Sequence, residues 1–318
     1  MNIKMQRLRS GINVGKQKVQ KIKSNLNRYE HWVAFLFILP PLVQFLVFTL
    51  VPCIWSLYAA FTDWNGLGQM SFIGLDNFIE MFGEERFWKA MYNTAYMMMG
   101  IPIGLFLSLI LAMLLNRNMF GTQVFRVLYY IPVISSLAAI SILWQWAYNG
   151  DYGLINQFLA LFHIKGPNWL QNEYTIKPAL MVMAIWKGMG YSMLLYLAAM
   201  QSIPPTFIEA ARLDGASGLQ IFRYITIPML RPVTFFIVVT SIISGSQMFV
   251  EPNIMTADGG PMYSAGTVVY YVWQKAFNNY QMGYASAVSW ILGIFIFVVT
   301  IIQFKMNEER EFDHENNA

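Results

Sequence analysis

Cysteine is almost missing from this chain. Cys53 is the single one in 318 residues, so no disulfide can close within it. Histidine is nearly as rare: His31, His163 and His314 lie too far apart in sequence to suggest a metal site. Charge is scarce as well. Asp, Glu, Lys and Arg make up 12% of the residues, against roughly 25% in soluble domains, which excludes an ordinary water-soluble globule. No Gly-x-x-x-x-Gly-Lys-Ser/Thr loop occurs, so the chain has no cradle of that kind for nucleotide phosphates. No Ser/His/Asp or Cys/His set stands at a workable spacing, and no pair of carboxylates or histidines recurs at helical spacing within an apolar run. The net charge of +4 is not a nucleic-acid signal, because the basic residues sit beside hydrophobic segments.

What is plentiful is apolar surface. Hydrophobic residues reach 56% and the mean hydropathy is +0.43. Six apolar runs fall near residues 31–61, 90–115, 127–147, 178–201, 232–249 and 285–304. Each is long enough to cross a bilayer as a helix, since about 20 residues at 1.5 Å each span the hydrocarbon. The chain therefore reads as an all-α integral membrane protein with the lipid bilayer among its partners. Pro40, Pro41 and Pro52 predict kinks in the first run. That run follows a basic segment over residues 1–30, and it is too long, with no small-residue cleavage site, to be a signal peptide. It reads as a retained anchor. With six spans, one side collects Lys4, Arg7, Arg9, Lys16, Lys18, Lys21, Lys23, Arg28, Arg117, Arg126, Arg212, Arg223, Arg231, Lys305 and Arg310. The other collects only Arg86, Lys89, Lys165, Lys177 and Lys275. Fifteen against five is a positive-inside asymmetry, so both ends are expected in the cytoplasm. The acidic stretch 308–315 is expected to be a disordered part of a tail over 305–318.

One polar stretch interrupts the pattern. Glu209-Ala210-Ala211-Arg212-Leu213-Asp214-Gly215-Ala216 separates the fourth and fifth runs, on the basic side. Ala210 and Ala211 favour helix. Gly215 predicts a left-handed stop, Ser217 a cap on a second helix, and Pro228 a break before the next span. A helix–glycine–helix elbow over 202–228, pinned between two spans, has the form of a docking element; an ordinary amphipathic loop is the plainer alternative. The pattern Glu-Ala-Ala, Gly215, then Ile225-Thr226-Ile227-Pro228 resembles the coupling motif of binding-protein-dependent ABC importer permeases, with Ile227 replacing the usual Leu. Its longer form from Ile203 is similar to the carbohydrate, maltose-type branch. Gly74-Leu75-Asp76-Asn77-Phe78, Asn93-Thr94, Arg126 to Pro132, Gly153 to Asn156, Thr256 to Pro261 and Gly283-Tyr284-Ala285 resemble the same family, over roughly residues 32–303.

This resemblance implies about six transmembrane helices of the type I ABC importer permease fold. It implies a sugar or oligosaccharide as cargo, a second homologous permease subunit, two ATPase subunits holding ATP and Mg, and an extracytoplasmic solute-binding protein. It also makes the chain itself non-catalytic and free of cofactors, in a bacterial inner membrane. Glu209, Ala210, Ala211, Asp214, Gly215 and Ala216 would couple to the ATPase.

Depth and chemistry suggest where a cargo passes. Lys187 lies about ten residues from either end of its run, too deep to reach the interface, and a charge there is costly unless it faces a cavity or a partner. Glu251 is the candidate ion-pair partner. Trp186, Tyr191, Gln247 and Asn253 offer aromatic faces and amides, with Gly190 leaving room beside them. Lys187 keeps a second cargo class open, an anionic solute such as an acidic oligosaccharide or glycerol phosphate. Trp144 and Trp146 read first as an interfacial aromatic belt. Residues from Gly74 to Ala90 read as a helix on the outer interface, and Gly100 with Gly104 as a small-xxx-small packing pair.

Overall fold

The computed structural model describes residues 30–117 and 120–315, with side chains to residue 307. The basic segment before Glu30 and the last three residues lie outside the described residues. The chain divides into two units, residues 1–58 and 59–318. The described residues of the first lie in helix α1 (Glu30–Ala59). Its apolar side chains, Phe37 and Phe48 among them, are exposed, as lipid-facing side chains must be. A π-helical turn at Leu46–Leu50 ends just ahead of Pro52, where the missing proline N–H relaxes the usual hydrogen-bond register.

The second unit opens with two-residue strands, β1 (Thr62–Asp63) and β2 (Ser71–Phe72), paired antiparallel. Helix α2 (Asp76–Gly83) follows, then α3 (Glu85–Leu115). The outer interfacial helix expected over 74–90 is thus cut at Glu84, whose ψ of 117° starts a new helix direction. Next come α4 (Thr122–Ile134), α5 (Leu137–Ala147), α6 (Leu154–Ala160), α7 (Ile176–Gln201), α8 (Pro205–Leu213) and α9 (Gly218–Met229). The chain closes with α10 (Arg231–Ser246), α11 (Val250–Met255), α12 (Val268–Trp273) and α13 (Met282–Glu315).

Among the described residues, α1, α3, α7 and α13 are long and apolar enough to cross a membrane unbroken. The third expected span is not one rod. It is the pair α4 and α5, bent by 101°. Pro132 removes a backbone donor one turn earlier, and Ser135 and Ser136 take extended conformations at the break, the Ser135 hydroxyl bonding back to the Ile131 carbonyl at 2.8 Å. The fifth is also a pair, α9 and α10, bent by 60°. Pro228 does not itself break α9. A π turn at Phe222–Thr226 absorbs it, and the bend falls at Leu230. At the C-terminal end, α13 runs on to Glu315 through the stretch expected to be disordered, because that stretch holds strong helix formers and neither Gly nor Pro.

Three apolar clusters hold the second unit. Met81, Phe87, Tyr271 and Val288 join α2 and α3 to α12 and α13. Tyr148, Ile176, Leu180 and Met183 join α5 to α7. Ala112, Met193, Leu197, Leu230 and Ile237 join α3, α7 and α10. Helices α3 and α7 approach closely: a Cβ on Gly100 would press on Met181, and the Ser108 hydroxyl donates to the Met189 carbonyl at 3.1 Å. At the next residue, a Cβ on Gly190 would collide with the Tyr129 carbonyl oxygen of α4. Gly190→Ala is therefore expected to cost about 1–3 kcal/mol, as overpacking of a filled site does. Thermal unfolding of the purified protein in detergent should show the loss, with Gly188→Ala, whose Cβ position is open, near wild type.

Candidate functional site

The polar elbow is built as its composition dictates. Helix α8 stops in paired bonds, Gly215 N–H to the Arg212 carbonyl at 3.1 Å and Ala216 N–H to Ala211 at 2.9 Å, the double closure that a left-handed residue permits. Gly215 supplies it with φ of +80°. Two residues on, Ser217 and Gln220 form a reciprocal capping box that starts α9, the Ser217 N–H donating to Gln220 Oε1 at 2.7 Å. The turn is over-determined from both sides. Glu209, Ala210, Asp214 and Gly215 are exposed, Ala211 and Ala216 half-buried. Leu213 and Leu219 stand out beside them, 89% and 77% exposed. Apolar side chains displayed on a rigid polar elbow form a contact surface.

A cavity of about 590 Å³ lies between α3, α7, α10 and α11. Lys187, Tyr191, Gln247 and Glu251 line it. Lys187 is near the middle of α7, roughly 17 Å along a helix rising 1.5 Å per residue. No ion pair joins Lys187 to Glu251; among the described residues the ion pair is Lys275 to Glu84. Glu251 is 8% exposed and its Oε2 has no partner. Trp186, Gly190 and Asn253 are not on this wall. Trp186 meets Trp144 edge to face, ring centroids 5.5 Å apart. Gly190 seats α7 on α4, and Asn253 lies further along α11. Sequence reading passed over the hydroxyls of Ser108, Thr240 and Ser244, which also line the cavity. A signal existed: Thr240 and Ser244 stand four apart on one helical face, as do Gly104 and Ser108.

At another place α2, α3, α12 and α13 are knotted together by one carboxylate. Glu84 Oε2 lies 2.8 Å from Lys275 Nζ, 2.6 Å from the Tyr271 hydroxyl and 2.8 Å from the Tyr284 hydroxyl. Partial burial pushes the Glu84 pKa up, but the bonds from Lys275, Tyr271 and Tyr284 and the lysine charge outweigh it and hold the carboxyl below its usual value. Asn93 on α3 makes a similar tie, its Nδ2 donating to the carbonyls of Tyr263 and Gly266 at 2.8 and 2.9 Å. Among the described residues no three His, Cys, Asp or Glu come together to hold a metal.

Residues 86–307 match the model of the family described as "Binding-protein-dependent transport system inner membrane component". The chain belongs to that family. Its relatives agree along nearly their whole length. The probable ABC transporter permease protein YesP of Bacillus subtilis (strain 168) is 37% identical over 290 residues, covering 89% of this permease and 93% of YesP. The lactose transport system permease protein LacF of Rhizobium radiobacter is 33% identical, with 91% and 98% covered. The sn-glycerol-3-phosphate permease UgpA of Yersinia enterocolitica is 30% identical, with 88% and 95% covered. A solved bacterial ABC transporter for the acidic polysaccharide alginate superposes with a TM-score of 0.78 at 22% identity, over 88% of the permease and 96% of that chain. The permease has the type I ABC importer fold of the inner membrane.

The carboxylate knot yields a pH dependence. Because Glu84 is depressed in the folded protein, its contribution is fully present above the ordinary carboxylate value of 4.5 and is lost as pH falls through the lower folded value. Glu84→Gln should cost about 1.5–3 kcal/mol at neutral pH, the worth of hydrogen bonds to a charged group. Melting temperatures across acid and neutral pH should converge for the two proteins at the acid end.

Proposed function

We propose that the permease is the membrane-spanning subunit of an ATP-driven, binding-protein-dependent importer of a sugar or oligosaccharide, and that the elbow from Glu209 to Gly215 receives the force. The observation that carries this is the exposed elbow closed on both sides, between spans, bearing Leu213 and Leu219 outward. A rigid element transmits displacement, where a floppy loop would absorb it. Without a phosphate-binding loop of its own, the chain leaves hydrolysis, with ATP and Mg, to partner ATPases. A second homologous permease completes the pathway, and a solute-binding protein delivers the cargo from outside. The excess of basic residues on the elbow's side of the spans supports a cytoplasmic position for it and for both chain ends.

Support for a saccharide comes from the relatives named for lactose, for arabinooligosaccharides and for starch degradation products, and from a cavity walled by hydroxyls, an amide and an aromatic ring. Lys187 on that wall, with a glycerol-phosphate permease among the relatives, keeps an anionic solute as the second reading.

Glu209→Lys and Gly215→Pro test the elbow in the assembled transporter. Both are expected to leave the protein in the membrane while cutting cargo uptake and cargo-stimulated ATP hydrolysis at least about tenfold, a coupling loss of 1.4 kcal/mol. Unchanged uptake with unchanged ATPase stimulation would remove the assigned role. Gly215→Asn, which tolerates a left-handed backbone, should retain far more activity than Gly215→Pro.

A further inference from the structure

Two opposite charges face one cavity without meeting. Of the residues that line it, Lys187 on α7 and Glu251 on α11 are the charged ones, and the rest of the wall is neutral. Glu251 is 8% exposed and its Oε2 has no partner. Among the described residues Lys187 makes no ion pair. Its charge nevertheless acts on Glu251 across the gap. A lysine held mid-span and a buried carboxylate oxygen left open are each costly. Attraction between them, in surroundings that screen it poorly, draws the two walls together.

The geometry leaves room for that closure. Gly188, next to Lys187, also lines the cavity, and nothing stands within 4 Å of the point where a Cβ would lie. Opposite, α10 ends at Ser246 and α11 starts at Val250, with Gln247 (φ −102°, ψ 18°) and Phe249 (φ −137°, ψ −49°) out of helical conformation between them. Non-helical backbone is tolerated in a membrane protein where it lines a cavity, and Gln247, Met248 and Phe249 all do so. The break frees the direction of α11 from that of α10, and the lysine adds the reach of a flexible four-carbon stem.

We propose that Lys187 and Glu251 are the two halves of a latch. They pair when the cavity closes, hold α7 against α11, and stand apart in the open state described above. Closure on both charges neutralises both, whereas closure on either one alone buries it unpaired. Removing one partner of a buried pair is strongly destabilising, while replacing both with apolar groups of similar volume is often neutral. That asymmetry is the signature of a latch. The proposal rests on the reading of the chain as an ATP-driven permease and assigns Lys187 to the gate of the pathway, apart from any hold on cargo.

The test uses the complete transporter in lipid vesicles, with its ATPases and its solute-binding protein. Lys187→Met and Glu251→Gln are each expected to slow ATP hydrolysis about tenfold, and the double variant to return to within about threefold of wild type. Losses that multiply in the double variant, as for two side chains acting independently, overturn the latch, and so do single variants at the wild-type rate. A second measurement covers variants that fold poorly. In a Cys53→Ser background, Lys187→Cys with Glu251→Cys is treated with a short bifunctional thiol reagent, without nucleotide and then with ATP, Mg and vanadate. The yield of cross-link should differ at least about fivefold between the two conditions, as two populations of open and closed cavity require. Equal yields, or no cross-link in either, overturn the latch while saccharide import stands. The cross-link needs no cargo, so a nucleotide-dependent yield in a transporter that takes up no saccharide keeps the latch and removes the import reading instead.

Discussion

Helix α7 is pinned at its middle from two sides. The Met189 carbonyl accepts from Ser108 on α3, and Gly190 lies against the Tyr129 carbonyl on α4. In a bilayer no water is present to satisfy a misplaced backbone group, so helices position one another by such close, small-residue contacts. The pinning sets the rotation of α7, and that rotation in turn carries Lys187 and Tyr191 to one cavity wall and sends Trp186 to the aromatic contact with Trp144. Glu251 and Gln247 reach the same cavity because α10 ends at Ser246 and the chain turns before α11.

Two glutamates illustrate how differently one side chain can be used. Glu84 is surrounded by a lysine and two phenols and fastens four helices together. Glu251 is more deeply buried and has an oxygen left over. The first arrangement gathers three bonds on one oxygen in holding the fold, while the second leaves an oxygen open.

The spans, the elbow and its boundaries were legible because each rests on a local rule. Gly215 is needed for the left-handed stop, and Ser217 with Gln220 forms a cap within one turn. Long-range facts were not legible. Gly190 reads in sequence as room for a ligand, yet the space is filled by the backbone of α4, which is some sixty residues away in the chain. The sharp bend at Ser135 escaped because an apolar run keeps its composition through a break, and only the Ser-Ser pair after Pro132 hints at it. The cavity hydroxyls were hidden for a similar reason: Ser108 and Thr240 are ordinary residues in a membrane helix until a neighbouring helix fixes which side they face.

The π turn at Phe222–Thr226 carries one further consequence. A widened turn holds one residue more than the helical repeat requires, so everything beyond it is turned by about 100° relative to a plain helix. The angular setting of the elbow against α10 is therefore stored in a single surplus residue beside Pro228. A deletion of that one residue would reset the angle by the same amount while leaving the capped turn at Gly215 intact.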